Sequence, residues 1–230
     1  MAIELASFDS ALRLTEICVG AALIQHSAEH LVAAHDERVL FGARIGLAVC
    51  LLAGFYSGIA CWMLVVLHLL ILRRFDGPYN GGSDRMSHLS VICLAAAHTA
   101  PACVLKEAAL GYLGLQVILS YAMSGGVKIV NPDWRNGRAL RDVFEFSAYP
   151  ASEHFRRWAR APSLMLAMSW SVIVFELLFP LSLGNRYFLY GALAIGAAFH
   201  LGNACLFGLN RFVWSWLATY PSLLWLQARI

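Results

Sequence analysis

Long apolar runs, broken by short polar ones, are the dominant pattern of this chain. A helix needs about twenty apolar residues to cross a hydrocarbon layer about 30 Å thick. Read on that scale, the sequence predicts spans near 11–31, 39–54, 57–72, 87–104, 108–127, 163–183, 187–208 and 212–228. The second and third belong to one apolar stretch that would be about 51 Å long as a single straight helix, more than one bilayer accommodates even with tilt. Gly54-Phe55-Tyr56-Ser57-Gly58 offers a turn in its middle, so two short helices are expected. The fold class read from the pattern is an all-α integral membrane protein. It is expected to be a polytopic bundle of about eight transmembrane helices in a single transmembrane domain over 1–230, without repeats or low-complexity linkers.

Composition removes the soluble alternative. With 60% hydrophobic and 13% charged residues, a chain of 230 residues cannot hide its apolar surface in a water-soluble core. The lipid bilayer is thus the first partner, and the net charge of +3 carries no implication of nucleic acid. The arginines serve instead as topology markers. With Lys128 set aside, eight crossings put twelve basic residues on the side of the 129–161 loop and four on the other. Merging the second and third spans gives eleven against five, with the same sign. The positive-inside rule then places that loop in the cytoplasm and both termini outside, in a multi-pass protein of the cell inner (cytoplasmic) membrane. The first ten residues hold Glu4 and Asp9 and no basic residue, unlike a signal peptide, so the first helix is expected to stay. The six cysteines form no C-x-x-C pair and read as small hydrophobes rather than a disulfide framework.

Candidate chemistry lies in the polar residues that interrupt these spans, because such groups normally face the interior and find partners. In SGGVKIVNPDW (124–134), Lys128 closes an uncharged segment of twenty residues, 108–127. It either reaches for headgroups or serves as a desolvated base. The first span carries Glu16, Gln25, His26, Glu29 and His30. His26 and His30 share a helical face, and HSAEH matches the H-x-x-E-H pattern in which two histidines bind zinc beside a glutamate base. The third ligand of such a site is not identifiable, and the plainer reading is a hydrogen-bond cluster at the interface. His68, His98 and His200 stand alone in other spans, where a histidine bonds to a neighbouring helix or serves a cofactor or a proton path. Glu176, within WSVIVFELLFP, needs a partner or a proton at mid-bilayer. NGGSDRMSHL combines a glycine-rich turn with Asp84, Arg85 and His88 at a helix start, where backbone N–H groups can hold an anion or simply cap a surface turn.

Two stretches, SGGVKIVNPDWRNG (124–137) and FHLGNACLFGLNRFVWSWLATYPSLL (199–224), resemble the vitamin K-dependent gamma-carboxylase and its bacterial relatives, the horizontally transferred transmembrane domain (HTTM) family. The matching positions are Lys128, Ile129, Asp133 and Trp134, then Phe199, His200, Asn203, Leu206, Phe207, Leu209, Phe212 and Pro221, and the likeness extends over about 10–228. The resemblance implies quinol-coupled oxidoreductase or carboxylase-like chemistry, with a quinol or naphthoquinone as cofactor. It gives Lys128 the role of base. His88 becomes the histidine near the 80–88 turn that stabilises an oxygenated intermediate, with Asp84 the alternative at the aligned position, and His200 lines the cavity. Asn203, Glu176, Asp84 and Trp134 are the cofactor-binding candidates. The chain ends at Ile230, directly after the last predicted span, so the large non-membrane domain that presents glutamates in the carboxylase is not expected. The resemblance also turns the lysine to the lumen, opposite to the arginine count. Two other functions stay open: a non-catalytic accessory or assembly subunit among partner membrane subunits, and a metal- or pigment-binding protein using His26, His30, His68 or His98, with Glu29 beside the first two.

Overall fold

The computed structural model describes residues 7–33, 38–74, 81–147 and 149–230, and every regular element among them is helical. In chain order these are α1 (Phe8–Ala33), α2 (Arg38–Ala53), α3 (Ser57–Arg74), α4 (Gly81–Thr99) and α5 (Cys103–Val130). Three short helices follow, α6 (Pro132–Arg135), α7 (Arg138–Phe146) and α8 (Pro150–Phe155), with a 3-10 helix at Arg156–Arg160. Then come α9 (Pro162–Leu178), a 3-10 helix at Phe179–Gly184, α10 (Arg186–Phe207), α11 (Asn210–Leu217) and α12 (Tyr220–Gln227). The chain forms two compact units, one within Met1–Leu115 and Arg211–Ile230, the other Gln116–Asn210.

In the first unit the expected break between α2 and α3 is present. Gly54 takes a left-handed conformation at φ 75°, which glycine adopts without a Cβ penalty, and Tyr56 follows at φ 48°. Arg13 of α1 donates to the carbonyls of Leu51 (2.8 Å) and Leu52, satisfying acceptors that the end of α2 leaves open. The same Arg13, with Ser57 and His98, surrounds the buried carboxylate of Glu16. The apolar core of this unit gathers Val19 and Leu23 of α1, Leu51 of α2, Leu94 of α4, Leu110 of α5 and Trp225 of α12.

The second unit corrects the expectation that 129–161 is a loop. Asn131 caps α6 by accepting from the Asp133 backbone N–H at 2.9 Å, with Pro132 at the first helical position. In α7, Leu140 and Phe144 fall on one face and are buried with Ala159 and Met165 in a small core.

The predicted span at 212–228 is another correction. It forms α11 and α12, eight residues each and about 12 Å long, with a break at 218–219 before Pro221. Among the described residues three helical segments are long and apolar enough to cross a membrane: Cys103–Val130, Pro162–Gly184 and Arg186–Phe207, with Ser57–Arg73 a shorter apolar helix. On α10, Tyr187, Phe188, Ile195 and Leu201 are all exposed, an arrangement that suits lipid and not water. The protein is an all-α membrane protein in contact with lipid.

Candidate functional site

Lys128 sits in the last turn of α5, since the helix continues to Val130. What holds its amine is decided three residues earlier. A Cβ on Gly125 would lie 2.9 Å from the backbone nitrogen of Leu177, so only glycine lets α5 come this close to α9. Across that close approach Lys128 Nζ donates to Glu176 Oε1 at 2.9 Å and Oε2 at 2.7 Å. It also donates to Ser124 Oγ at 2.5 Å, and the Ser124 hydroxyl passes its own hydrogen to Glu176 Oε1 at 3.2 Å. Side-chain exposure is 14% for Lys128 and 4% for Glu176, so the amine turns inward instead of reaching for headgroups. Trp134 closes the other side, its ring centroid 5.0 Å from Nζ. Ser169 of α9 donates to the Trp134 carbonyl and Trp170 to that of Arg135 at 3.1 Å, fixing α6 on α9. Glu176 has thus found the partner that a mid-span carboxylate needs, and it is Lys128.

Tyr121, Ser124 and Lys128 recur at helical spacing along one face of α5. At the far end of that face the Tyr121 hydroxyl meets His200 Nε2 at 2.8 Å, and both residues are buried. Asn203 lies one turn beyond His200 on α10, and its backbone carbonyl takes part in closing the helix end. Tyr121 stacks on Phe179 at 4.1 Å and meets Phe175 edge-on at 5.6 Å, while Phe199 packs on Phe175 and His200. An apolar, aromatic surround thus holds a largely buried ion pair and a buried hydroxyl–imidazole pair on one face of α5.

His88 and Asp84 belong to the first unit, in the wall of a cavity of about 380 Å³. His88 Nδ1 lies 3.4 Å from Nδ1 of His68, and His26 Nε2 lies 3.1 Å from His30 Nε2 and 3.5 Å from Asp84 Oδ1. The histidines read as solitary therefore include one that pairs with another, His68, while His98 bonds Glu16. Glu29 accepts from Gln25 and pairs with Arg211 at 3.6 Å. Among the described residues no group of three or more His, Cys, Asp or Glu is arranged to hold a metal ion.

Several residues of these sites escaped the sequence reading. Ser124 and Tyr121 could have been found, because they share the Lys128 face at helical spacing. Arg44, counted as a topology marker, is 3% exposed and lines the cavity. Its position inside the 39–54 apolar run was the available signal. Arg211, counted likewise, lines the same cavity.

The arrangement defines a helical membrane protein with a buried lysine–glutamate pair close to aromatic side chains. Residues 101–227, more than half of the chain, match the HTTM domain, and the protein belongs to that family, which is shared with the membrane region of vitamin K-dependent gamma-carboxylase. The match contains Lys128, Trp134, Glu176, His200 and Asn203, whereas His88 and Asp84 fall before it. No curated protein and no solved structure matches the chain.

Proposed function

We propose that this protein is a multi-pass, quinol-coupled enzyme of the cytoplasmic membrane, with the Lys128–Glu176 pair as its proton-accepting centre. The observation that carries this reading is the bidentate pairing of a largely buried amine with a buried carboxylate, 2.9 and 2.7 Å, inside the HTTM match. When bound, a quinol supplies two electrons and two protons, with dioxygen as the electron acceptor. The chain supplies the proton chemistry. Nζ passes a proton to Glu176 Oε2 over 2.7 Å. Its freed lone pair then takes up the next one, so the pair ends as ammonium and carboxylic acid. Ser124 keeps both groups aligned, Trp134 shields Nζ from water, and Tyr121 with His200 offers a second hydrogen-bonding point. Burial supports the step, since the pair and its neutral tautomer differ less in free energy when water is excluded. His88 and Asp84 line the cavity of the first unit, and the proposal rests on the second unit alone.

Purified protein should consume reduced naphthoquinone with uptake of oxygen. Lys128→Ala and Glu176→Gln should each lower that rate by about 10²- to 10⁴-fold, the usual worth of a positioned acid or base. Full turnover in either variant refutes the assignment. It would favour the second reading, a non-catalytic subunit of a membrane complex, for which the mutual saturation of Lys128, Ser124 and Glu176 is the supporting observation.

A further inference from the structure

The cavity of the first unit contains a buried cation that the protein leaves partly unanswered. Arg44 Nε donates to Ser27 Oγ at 2.6 Å, and that hydroxyl donates onward to the Leu23 carbonyl at 2.6 Å. The guanidinium carbon lies 4.9 Å from the Phe41 ring centroid, and His30 stacks on the same phenyl ring at 4.3 Å. The side chain is therefore fixed in place. Yet its Nη2, fully buried, has no hydrogen-bond acceptor among the described residues, and neither has Nε2 of the buried His68. Both residues line the cavity. A desolvated guanidinium N–H without an acceptor is unfavourable, and an acceptor placed in the adjoining space removes that cost.

We infer that this cavity binds an oxyanion, a phosphate group carried by a molecule with an apolar part. Charge favours an anion. Among the described residues that line the space, Arg44, Arg85 and Arg211 stand with one carboxylate, Asp84, and Glu29 pairs with Arg211. The first turns of α4 contribute Asp84, Ser87 and His88 to the wall, so the positive end of a 19-residue helix dipole adds to the field. The guanidinium fork suits phosphate geometry, and the His26–His30 and His68–His88 pairs supply hydrogen-bonding edges around it. Opposite in character are Phe41, Ile71 and Leu72, and Leu72 is 54% exposed, so the apolar wall reaches the outer surface where a chain or ring can lie. The volume of about 380 Å³ is in the range of small-molecule sites. All of these lining residues except Arg211 precede the HTTM match, and the inference does not rest on the quinol reading.

The phosphate could come from a lipid headgroup or from solution, and one experiment separates the two. The full chain in neutral detergent is mixed with phosphatidylglycerol, the phosphate-free diacylglycerol of the same chains, or inorganic phosphate, and native mass spectrometry and thermal unfolding are read in parallel. Retention of one phosphatidylglycerol at least tenfold over diacylglycerol supports a lipid source. A saturable rise in Tm with inorganic phosphate, in the absence of lipid, supports a free anion. Arg44→Gln should weaken whichever probe binds by about tenfold or more. If that variant does not fold, Arg211→Gln, at a partly exposed position, takes its place with the same expectation. Equal retention of the two lipids together with no response to phosphate overturns the inference in the wild-type protein alone, and so does unchanged binding in a folded variant.

Discussion

Lys128 and Arg44 are both cations buried in helices that composition marks as apolar, and the protein neutralises them differently. In the second unit Lys128 meets a carboxylate across a glycine-permitted approach, and every polar atom of the Lys128–Ser124–Glu176 cluster has a protein partner. In the first unit Arg44 meets a hydroxyl and a phenyl ring, keeps one N–H without an acceptor, and borders open volume. The contrast teaches where chemistry and where recognition belong. A saturated ion pair needs no counter-charge from a ligand and can still exchange a proton with one. An unsaturated guanidinium beside a cavity asks for an anion.

The sharpest way to break this contrast is to unbalance the saturated pair. Lys128→Met alone should cost about 3–5 kcal/mol, because it strands the Glu176 carboxylate in a buried site, whereas Lys128→Met combined with Glu176→Leu should fall within about 1 kcal/mol of wild type. Thermal unfolding of the three proteins in detergent reads the difference, and equal losses in single and double variants would mean that the two residues are uncoupled. Next in size is the close approach that makes the pair. Gly125→Ala places a Cβ 2.9 Å from Leu177 N and should cost about 1–3 kcal/mol, with a loss of quinol turnover as α5 and α9 separate. Ser27→Ala removes the anchor of Arg44 Nε and should destabilise by about 1–3 kcal/mol while weakening phosphate binding. Isothermal titration with phosphate checks the second half of that expectation. The smallest effect belongs to Tyr121→Phe, which removes the hydroxyl on His200 and should cost about 0.5–1.5 kcal/mol by unfolding.

Much of the helical layout was legible because it rests on local rules. The break at Gly54–Gly58 followed from the impossible length of the 39–72 run together with turn residues, and the left-handed φ of Gly54 answers it. The split at 218–219 was not legible, since the apolar pattern runs through Ala218 without interruption and Pro221 is compatible with the first turn of a new helix. Within 129–161 the density of arginine suggested a loop, but α7 keeps its four arginine and acidic positions outward and buries Leu140 and Phe144, a face too short to register as a span. Site residues divide the same way. Lys128 and Glu176 were each conspicuous as ions in apolar runs, yet their pairing crosses 48 positions and has no periodic signature. His26 and His30 share a face by spacing, while His68 and His88 meet only because α3 and α4 are adjacent in space. Arg44 was misread because a positive charge in a membrane protein is ordinarily a surface marker, and the rule that assigns topology does not see burial.

The most direct test compares oxidation of reduced naphthoquinone by wild type and by the Lys128→Met/Glu176→Leu double variant, with oxygen uptake followed in lipid nanodiscs. Because the double variant is expected to keep its fold, its rate isolates the chemistry of the pair. The account predicts steady consumption by wild type and a rate lower by about 10²- to 10⁴-fold in the variant. Equal rates, or no consumption by wild type, would contradict it.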